Sequence, residues 1–258
     1  MKTHPITFVG AGPGDPELIT VKGMKAVQEA DLVVYAGSLV PEALLQWASP
    51  ECLVENSAEM HLDEIVSTMA GAHRSGKRVV RLHTGDPSLY GAIAEQITEL
   101  EKRGIPFRVI PGVTAAFAAA AAMGLEFTLP EVSQTLILTR MAGRTPVPEA
   151  EALASLAEHR ASMAVYLSIA MIDRVAEVLK KTYGEDAPAA IAYRVSQPDE
   201  RIFRTTVGGL PDLVRKENIR KTALILVGDA LNQGVSGTDP KSRLYDRAFT
   251  HEYRRGEG

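Results

Sequence analysis

The hexapeptide Gly10-Ala11-Gly12-Pro13-Gly14-Asp15 stands between the apolar run Ile6–Val9 and a segment, Thr20–Glu29, whose apolar residues recur at helical spacing. A strand that turns through glycines into a helix opens a parallel α/β unit and lets a ligand approach the backbone closely. The loop nevertheless departs from both phosphate-binding patterns. A dinucleotide loop wants a glycine where Asp15 stands and free backbone N–H groups aimed at a pyrophosphate, whereas Pro13 removes one donor and Asp15 adds a negative charge. No Gly-Lys-Ser or Gly-Lys-Thr triplet of a nucleoside triphosphate loop follows. The carboxylate that would hold a ribose is missing as well, because the strand ending at Tyr35 runs into Ala36-Gly37-Ser38. A phosphate-free or cationic nucleoside fits better than a dinucleotide; the plain alternative is a tight strand-to-helix turn.

Further apolar runs at Leu32–Tyr35, Val79–Leu82 and Phe107–Ile110 read as short strands, with Leu62–His73 and Ala92–Arg103 as amphipathic helices between them. After Met123-Gly124 the pattern restarts. Thr135–Thr139, Met163–Leu167, Pro188–Tyr193 and Ala223–Val227 read as strands, Glu149–His159 and Met171–Thr182 as helices, and Arg201–Val207 as an antiparallel strand after the turn at Asp199-Glu200. The expectation is an α/β protein with two domains. Residues 1–124 form the first, with a mainly parallel sheet; residues 133–231 form the second, with a mixed sheet; residues 232–258 form a polar tail with Tyr245, Phe249 and Tyr253.

The charge balance, 32 acidic against 28 basic residues, gives a formal net charge of −4 and does not advertise a nucleic-acid or anionic-membrane partner. Cys52 is the only cysteine, which excludes an internal disulfide and a multi-thiolate metal site. The six histidines include no pair at zinc-protease spacing, so no metal site is expected. No serine sits in a Gly-x-Ser-x-Gly elbow. The run Ala115–Met123 is far shorter than the roughly 20 residues of a membrane helix. The first residues lack the apolar stretch of a signal peptide, and a cytoplasmic location is expected.

Open α/β sheets bind ligands at the carboxyl ends of their strands. Three such loops in the first domain are unusual: the Gly-Pro-Gly-Asp loop, His83-Thr84-Gly85-Asp86-Pro87-Ser88-Leu89-Tyr90-Gly91, and Pro111-Gly112-Val113-Thr114-Ala115-Ala116. Taken singly, Asp86-Pro87 is turn chemistry, Thr114 a helix cap and the alanines helix formers. Taken together they make a pocket with backbone amides, two hydroxyls and one carboxylate. His61 and His83 are the histidines nearest to it, each a proton shuttle or a polar loop residue, the latter preferred. Arg140, Arg144 and Arg194 fall at or near strand ends in the second domain, where they suit the carboxylates of an acidic substrate or are solvated surface.

The stretch Gly10–Gly23, with Thr84-Gly85-Asp86-Pro87 and Pro111-Gly112-Val113-Thr114-Ala115, resembles the tetrapyrrole methylase family over nearly the whole chain. Tyr35–Val40, Met60–Glu64 and Thr139–Glu149 look like its branch that methylates C11 of precorrin-4. The resemblance implies two α/β/α domains with S-adenosylmethionine in the cleft between them, S-adenosylhomocysteine as product, a small-molecule tetrapyrrole substrate on the way to vitamin B12, and a homodimer. By motif matching, Pro13, Thr84, Gly85, Asp86, Leu89, Thr114 and Ala115 would line the cofactor site from the first domain, and Leu167, Tyr193, Arg194 and Ala223 from the second. Ser38, His61, Arg140 and Arg144 would meet the macrocycle. Related uroporphyrinogen-III methyltransferases carry an aspartate after the tyrosine of the second strand and a lysine shortly after the next strand. Gly37 and Asn56 are the nearest positions here, so no catalytic base is assigned.

Overall fold

The structure, a computed structural model, describes residues 4–37, 39–233, 242 and 246–256; Ser38 and Tyr245 lie outside the described residues. The chain divides into two compact units, Met1–Ala118 with Arg194–Glu200, and Ala119–Tyr193 with Arg201–Gly258. Arg194, placed by its sequence position in the second domain, therefore belongs to the first unit.

The first unit is built on a five-stranded sheet of β1 (Ile6–Gly10), β2 (Leu32–Tyr35), β3 (Leu53–Asn56), β4 (Val79–His83) and β5 (Phe107–Ile110), in the order β3-β2-β4-β1-β5 with every pair parallel. Alternate residues of each strand face opposite sides. Val9, Val33, Val80 and Leu82 pack with Val27 of helix α1 (Val21–Gln28) on one face. Ile6, Phe8, Val34 and Val79 pack with Val66 and Met69 of α2 (Leu62–Arg74) and Leu100 of α3 (Ile93–Lys102) on the other. Burial on both faces explains why β1, β2 and β4 read as apolar runs. Strand β3 was not anticipated: all four of its residues are exposed at the sheet edge, so its sequence carries no core signature. Thr20 caps α1 by accepting the Gly23 N–H at 3.1 Å.

Helix α4 (Ala115–Met123) leads into the second unit. Its sheet comprises β6 (Leu136–Arg140), β7 (Ser162–Tyr166), β8 (Pro188–Tyr193), β9 (Arg201–Thr206) and β10 (Ala223–Val227), ordered β6-β7-β10-β8-β9. Only β6 and β7 run parallel, so the sheet is mixed. Helices α5 (Leu153–Ala157), α6 (Ile172–Tyr183) and α7 (Leu210–Lys216) add Leu153, Val175, Leu179, Leu210 and Val214 to its core. The helix expected over Glu149–His159 is interrupted, because Ala152 is extended (φ −57°, ψ 142°) between a 3-10 turn at Glu149–Glu151 and α5. Helix α7 was missed for its brevity: its two buried residues, Leu210 and Val214, form a single i,i+4 pair. Among the described residues no helix is long and apolar enough to cross a membrane.

Candidate functional site

The strand order β4-β1-β5 brings the carboxyl ends of these three strands, and the three unusual loops that follow them, side by side. Their backbones touch. Ala11 N–H donates to His83 O at 2.7 Å, Gly85 N–H to Gly12 O at 2.7 Å and Gly12 N–H to Gly85 O at 3.2 Å. A Cβ on Gly10 would lie 2.5 Å from the Gly112 nitrogen and 2.7 Å from the Gly85 oxygen, and one on Gly112 would collide with that same oxygen. Gly12 and Gly85 sit at φ +81° and +60°, where a side chain is strained. These glycines therefore serve loop-on-loop packing before any ligand is considered.

The packing consumes donors. Over residues 11–15, Ala11 gives its N–H to the end of β4 and Gly12 to the loop beyond it, Pro13 has none, and Asp15 gives its own to Ser196 Oγ at 3.0 Å. Little backbone is left to cradle a pyrophosphate, in keeping with the departures read from the motif. The Asp15 carboxylate is occupied as well: Oδ1 accepts Glu17 N–H at 2.8 Å and caps the 3-10 turn Pro16–Leu18. Ser196 and Gln197 were not singled out from sequence. Gly14 lies against the Gln197 side chain so closely that a Cβ would strike it. No local pattern announces a partner 181 residues away.

Thr84, Gly85, Asp86, Leu89 and Ala115 are partly exposed at this edge, while Pro13 and Thr114 are buried. The Thr114 carbonyl accepts Phe117 and Ala118 N–H at 3.1 and 3.3 Å and so opens α4. His61 precedes α2, its N–H donating to Glu64 Oε2 at 2.7 Å. His83 is not the loop residue expected. It ends β4, is 4% exposed and stacks on Phe8 at 5.9 Å between ring centroids. Burial, then the Arg81 charge, pull its pKa down to about 3, far from the near-neutral value a proton shuttle uses.

Asn56 Oδ1 accepts the N–H groups of Gly37 at 3.2 Å and Ala58 at 2.9 Å, and the amide fills the space a side chain on Gly37 would need. The two positions where an acid and a lysine were sought are thus neighbours joined through an uncharged amide.

In the second unit Tyr193 and Ala223 are directly paired across β8 and β10. Strand β7 pairs with β10 from Met163 to Val165. Of the three expected cofactor residues of this unit, Tyr193 and Ala223 are thus paired across adjacent strands. Strand β7 ends at Tyr166, and Leu167 beyond it is 65% exposed at φ +53°. Left-handed backbone is costly for a leucine, and burial of the side chain does not offset it here. Buried Ser168 holds the turn, accepting Met141 N–H at 2.9 Å and donating to Tyr166 O at 2.7 Å.

The basic candidates divide. Arg194 closes its own turn onto Gln197 Oε1 (2.9 Å) and Asp199 (2.8 Å). Arg140 donates to the carbonyls of Thr145 (3.2 Å) and Pro146 (2.6 Å), shaping the loop that carries Arg144. Arg144 is exposed, with no hydrogen bond or ion pair among the described residues.

The family model for tetrapyrrole (corrin/porphyrin) methylases matches residues 5–211. The chain is 53% identical over 251 residues to cobalt-precorrin-4 C(11)-methyltransferase of Methanocaldococcus jannaschii, covering 97% of this chain and 96% of that one. It is 50% identical over 253 residues to precorrin-4 C(11)-methyltransferase of Pseudomonas aeruginosa, covering 98% and 99%. Among solved structures it is similar to a cobalamin biosynthetic enzyme, cobalt precorrin-4 methyltransferase (TM-score 0.86, 49% identity, 88% and 95% covered). It is also similar to uroporphyrin-III C-methyltransferase of Thermus thermophilus complexed with S-adenosylhomocysteine (TM-score 0.74, 26% identity, 89% and 99% covered).

Proposed function

The chain belongs to the tetrapyrrole methylases and is a methyltransferase, and from that premise we propose that it methylates C11 of precorrin-4 or cobalt-precorrin-4 with S-adenosylmethionine, as a cytoplasmic homodimer. The observation that carries the cofactor reading is that Ala11, Gly12 and Asp15 already give their backbone N–H groups to His83 O, Gly85 O and Ser196 Oγ, while Pro13 has none. A site so depleted suits a nucleoside without phosphate. The residues present fit such a group: partly exposed Thr84, Gly85, Leu89 and Ala115 offer small surfaces and a hydroxyl at one sheet edge, and in the other unit Tyr193 and Ala223 are paired while Leu167 stands exposed just beyond β7.

S-adenosylmethionine supplies an electrophilic methyl group on a sulfonium. The chain's own contribution is alignment and exclusion of water, since a displacement at carbon depends on holding the reacting atoms near contact and in line. Asp86 acts here as a loop tie: its two carboxylate oxygens hold the N–H groups of Ser88 and Gly112. The Asn56 amide, fixed by its oxygen, leaves its N–H2 group as a donor beside Gly37. Arg144 offers a guanidinium to a carboxylate side chain of the macrocycle.

Transfer of isotope-labelled methyl from S-adenosylmethionine to enzymatically generated precorrin-4, with and without cobalt, tests the reading. Label on C11 is expected, and the preferred metal state assigns the substrate. Folded protein that labels neither ring, under conditions in which a relative does, overturns it.

A further inference from the structure

Arg81 sits in mid-β4, 4% exposed, within the apolar layer between the first sheet and helices α2 and α3. Its Nε donates to Gln96 Oε1 at 3.1 Å, and its Nη1 to the Val34 carbonyl at 3.2 Å and to Ser57 Oγ at 2.9 Å. Ser57 Oγ passes its own hydrogen to Tyr35 O at 3.0 Å, and Gln96 Nε2 donates to Ala92 O at 3.3 Å. Every acceptor is neutral, and no carboxylate pairs with Arg81 among the described residues. Burial lowers its pKa only to about 10, so the charge persists at neutral pH. Two residues along the same strand face, buried His83 Nε2 has no hydrogen-bond partner among the described residues.

An unpaired cation is a costly way to fill a core that a methionine or leucine would fill. What the guanidinium does that an apolar side chain cannot is join two segments. Ser57 begins the stretch after β3 that leads to His61 and α2; Gln96 and Ala92 anchor the loop running from Thr84 into α3. That loop is strained: Tyr90 and Ala92 lie at φ +57° and +49°, and a Cβ on Gly91 would collide with the Pro87 carbonyl. Such a conformation persists only where its surroundings over-determine it.

We propose that Arg81 is a positioning residue that sets the spacing between the loop after β4 and the segment after β3, so that methyl donor and ring carbon meet in line. The inference rests on the reading above, in which the first loop binds cofactor and the second meets the tetrapyrrole. His83, two residues along the same strand face, is kept neutral by its burial and secondarily by the Arg81 charge, so it adds no titrating charge to the joint near neutrality.

The test uses the full chain carrying Ser57→Ala, Gln96→Leu, their combination, Arg81→Met or Arg81→Lys. S-adenosylmethionine affinity is measured by calorimetry, and kcat and KM for the tetrapyrrole well below each variant's melting temperature. Ser57→Ala is expected to lower kcat about 10- to 100-fold with cofactor affinity unchanged, as a misplacement of roughly 1 Å would. Gln96→Leu is expected to weaken cofactor binding, Arg81→Met to do both, and Arg81→Lys to recover part of kcat. If Arg81→Met fails to fold, the Ser57–Gln96 cycle decides: non-additive losses in kcat support the joint, and additive ones overturn it. Variants that lose melting temperature alone, with kcat and affinity intact, reduce Arg81 to a structural part and overturn the proposal. A Leu89→Ala protein with unchanged cofactor affinity would instead sink the cofactor assignment, whatever the Arg81 variants do.

Discussion

Asp86 Oδ2 accepts the backbone N–H of Gly112 at 2.9 Å, tying the loop after β4 to the loop after β5 across the end of β1. The other oxygen accepts Ser88 N–H at 2.8 Å within its own turn. One carboxylate thus holds two of the three candidate cofactor loops in register. Its loss is expected to be felt in fold and affinity together.

Asp86→Ala is expected to destabilise the protein by about 2 kcal/mol, the scale of hydrogen bonds to a charged group, and to weaken S-adenosylmethionine binding. Asp86→Asn keeps one acceptor and falls between. Denaturant unfolding and calorimetry read the two effects; an Asp86→Ala protein with normal stability and affinity would show that the tie is dispensable.

Gly112→Ala places a methyl against the Gly85 carbonyl and the Gly10 backbone, neither of which is a yielding side-chain tip. A loss of about 3 kcal/mol is expected, at the upper end of overpacking costs. Gly71→Ala is the contrasting change: Gly71 is in α2 with nothing within 4 Å of an added Cβ, and the protein should gain up to about 1 kcal/mol from helix propensity. Equal effects at the two positions would contradict the close loop packing.

Leu167→Gly relieves left-handed backbone, so stability should hold or rise by about 1 kcal/mol. The same change removes an exposed apolar side chain from the expected cofactor edge, and KM for S-adenosylmethionine should rise. Unaltered KM would take the Leu167 side chain out of the binding surface.

His83 is neutral in the folded protein down to about pH 3 but binds a proton near pH 6.5 once unfolded. Between these values the unfolded chain holds the extra proton, so stability is fully present above pH 6.5 and falls as the pH drops toward 3, by a maximum on the order of 1 kcal/mol per pH unit. Phe8 stacks on the ring and Arg81 lies beside it, and neither gains nor loses a proton in this window. His83→Gln should flatten this part of the stability curve, measured by denaturant titration from pH 4 to 8. A slope identical to that of the unaltered protein would remove His83 as its source.

Strands buried on both faces were legible because they are continuous apolar runs, as in Leu32–Tyr35 and Val79–His83. Strand β3 was not, since its edge position demands no core residues, nor was α7, which buries one turn's pair. Of the candidate site, the three loops could be picked out by turn chemistry and by resemblance. The roles of their residues could not. Gly10 read as part of an opening for a ligand and proves to be an opening for Gly112. Arg140 and Arg194 read as anion receptors or solvated surface, and their guanidinium groups close local turns. His83 read as a loop residue and is the buried end of a strand.

The amino-acid sequence alone determined the α/β alternation, the family, and a Gly-rich loop unsuited to phosphate, because periodicity, proline and charge act within a few residues of where they stand. Only the tertiary structure decided that the loops after β4, β1 and β5 lie together, that Ser196 takes the Asp15 N–H across 181 positions, and that Arg81 joins Ser57 to Gln96. Strand order sets these meetings, and strand order follows from how two helical layers cover both faces of one sheet, which no local stretch of the chain encodes.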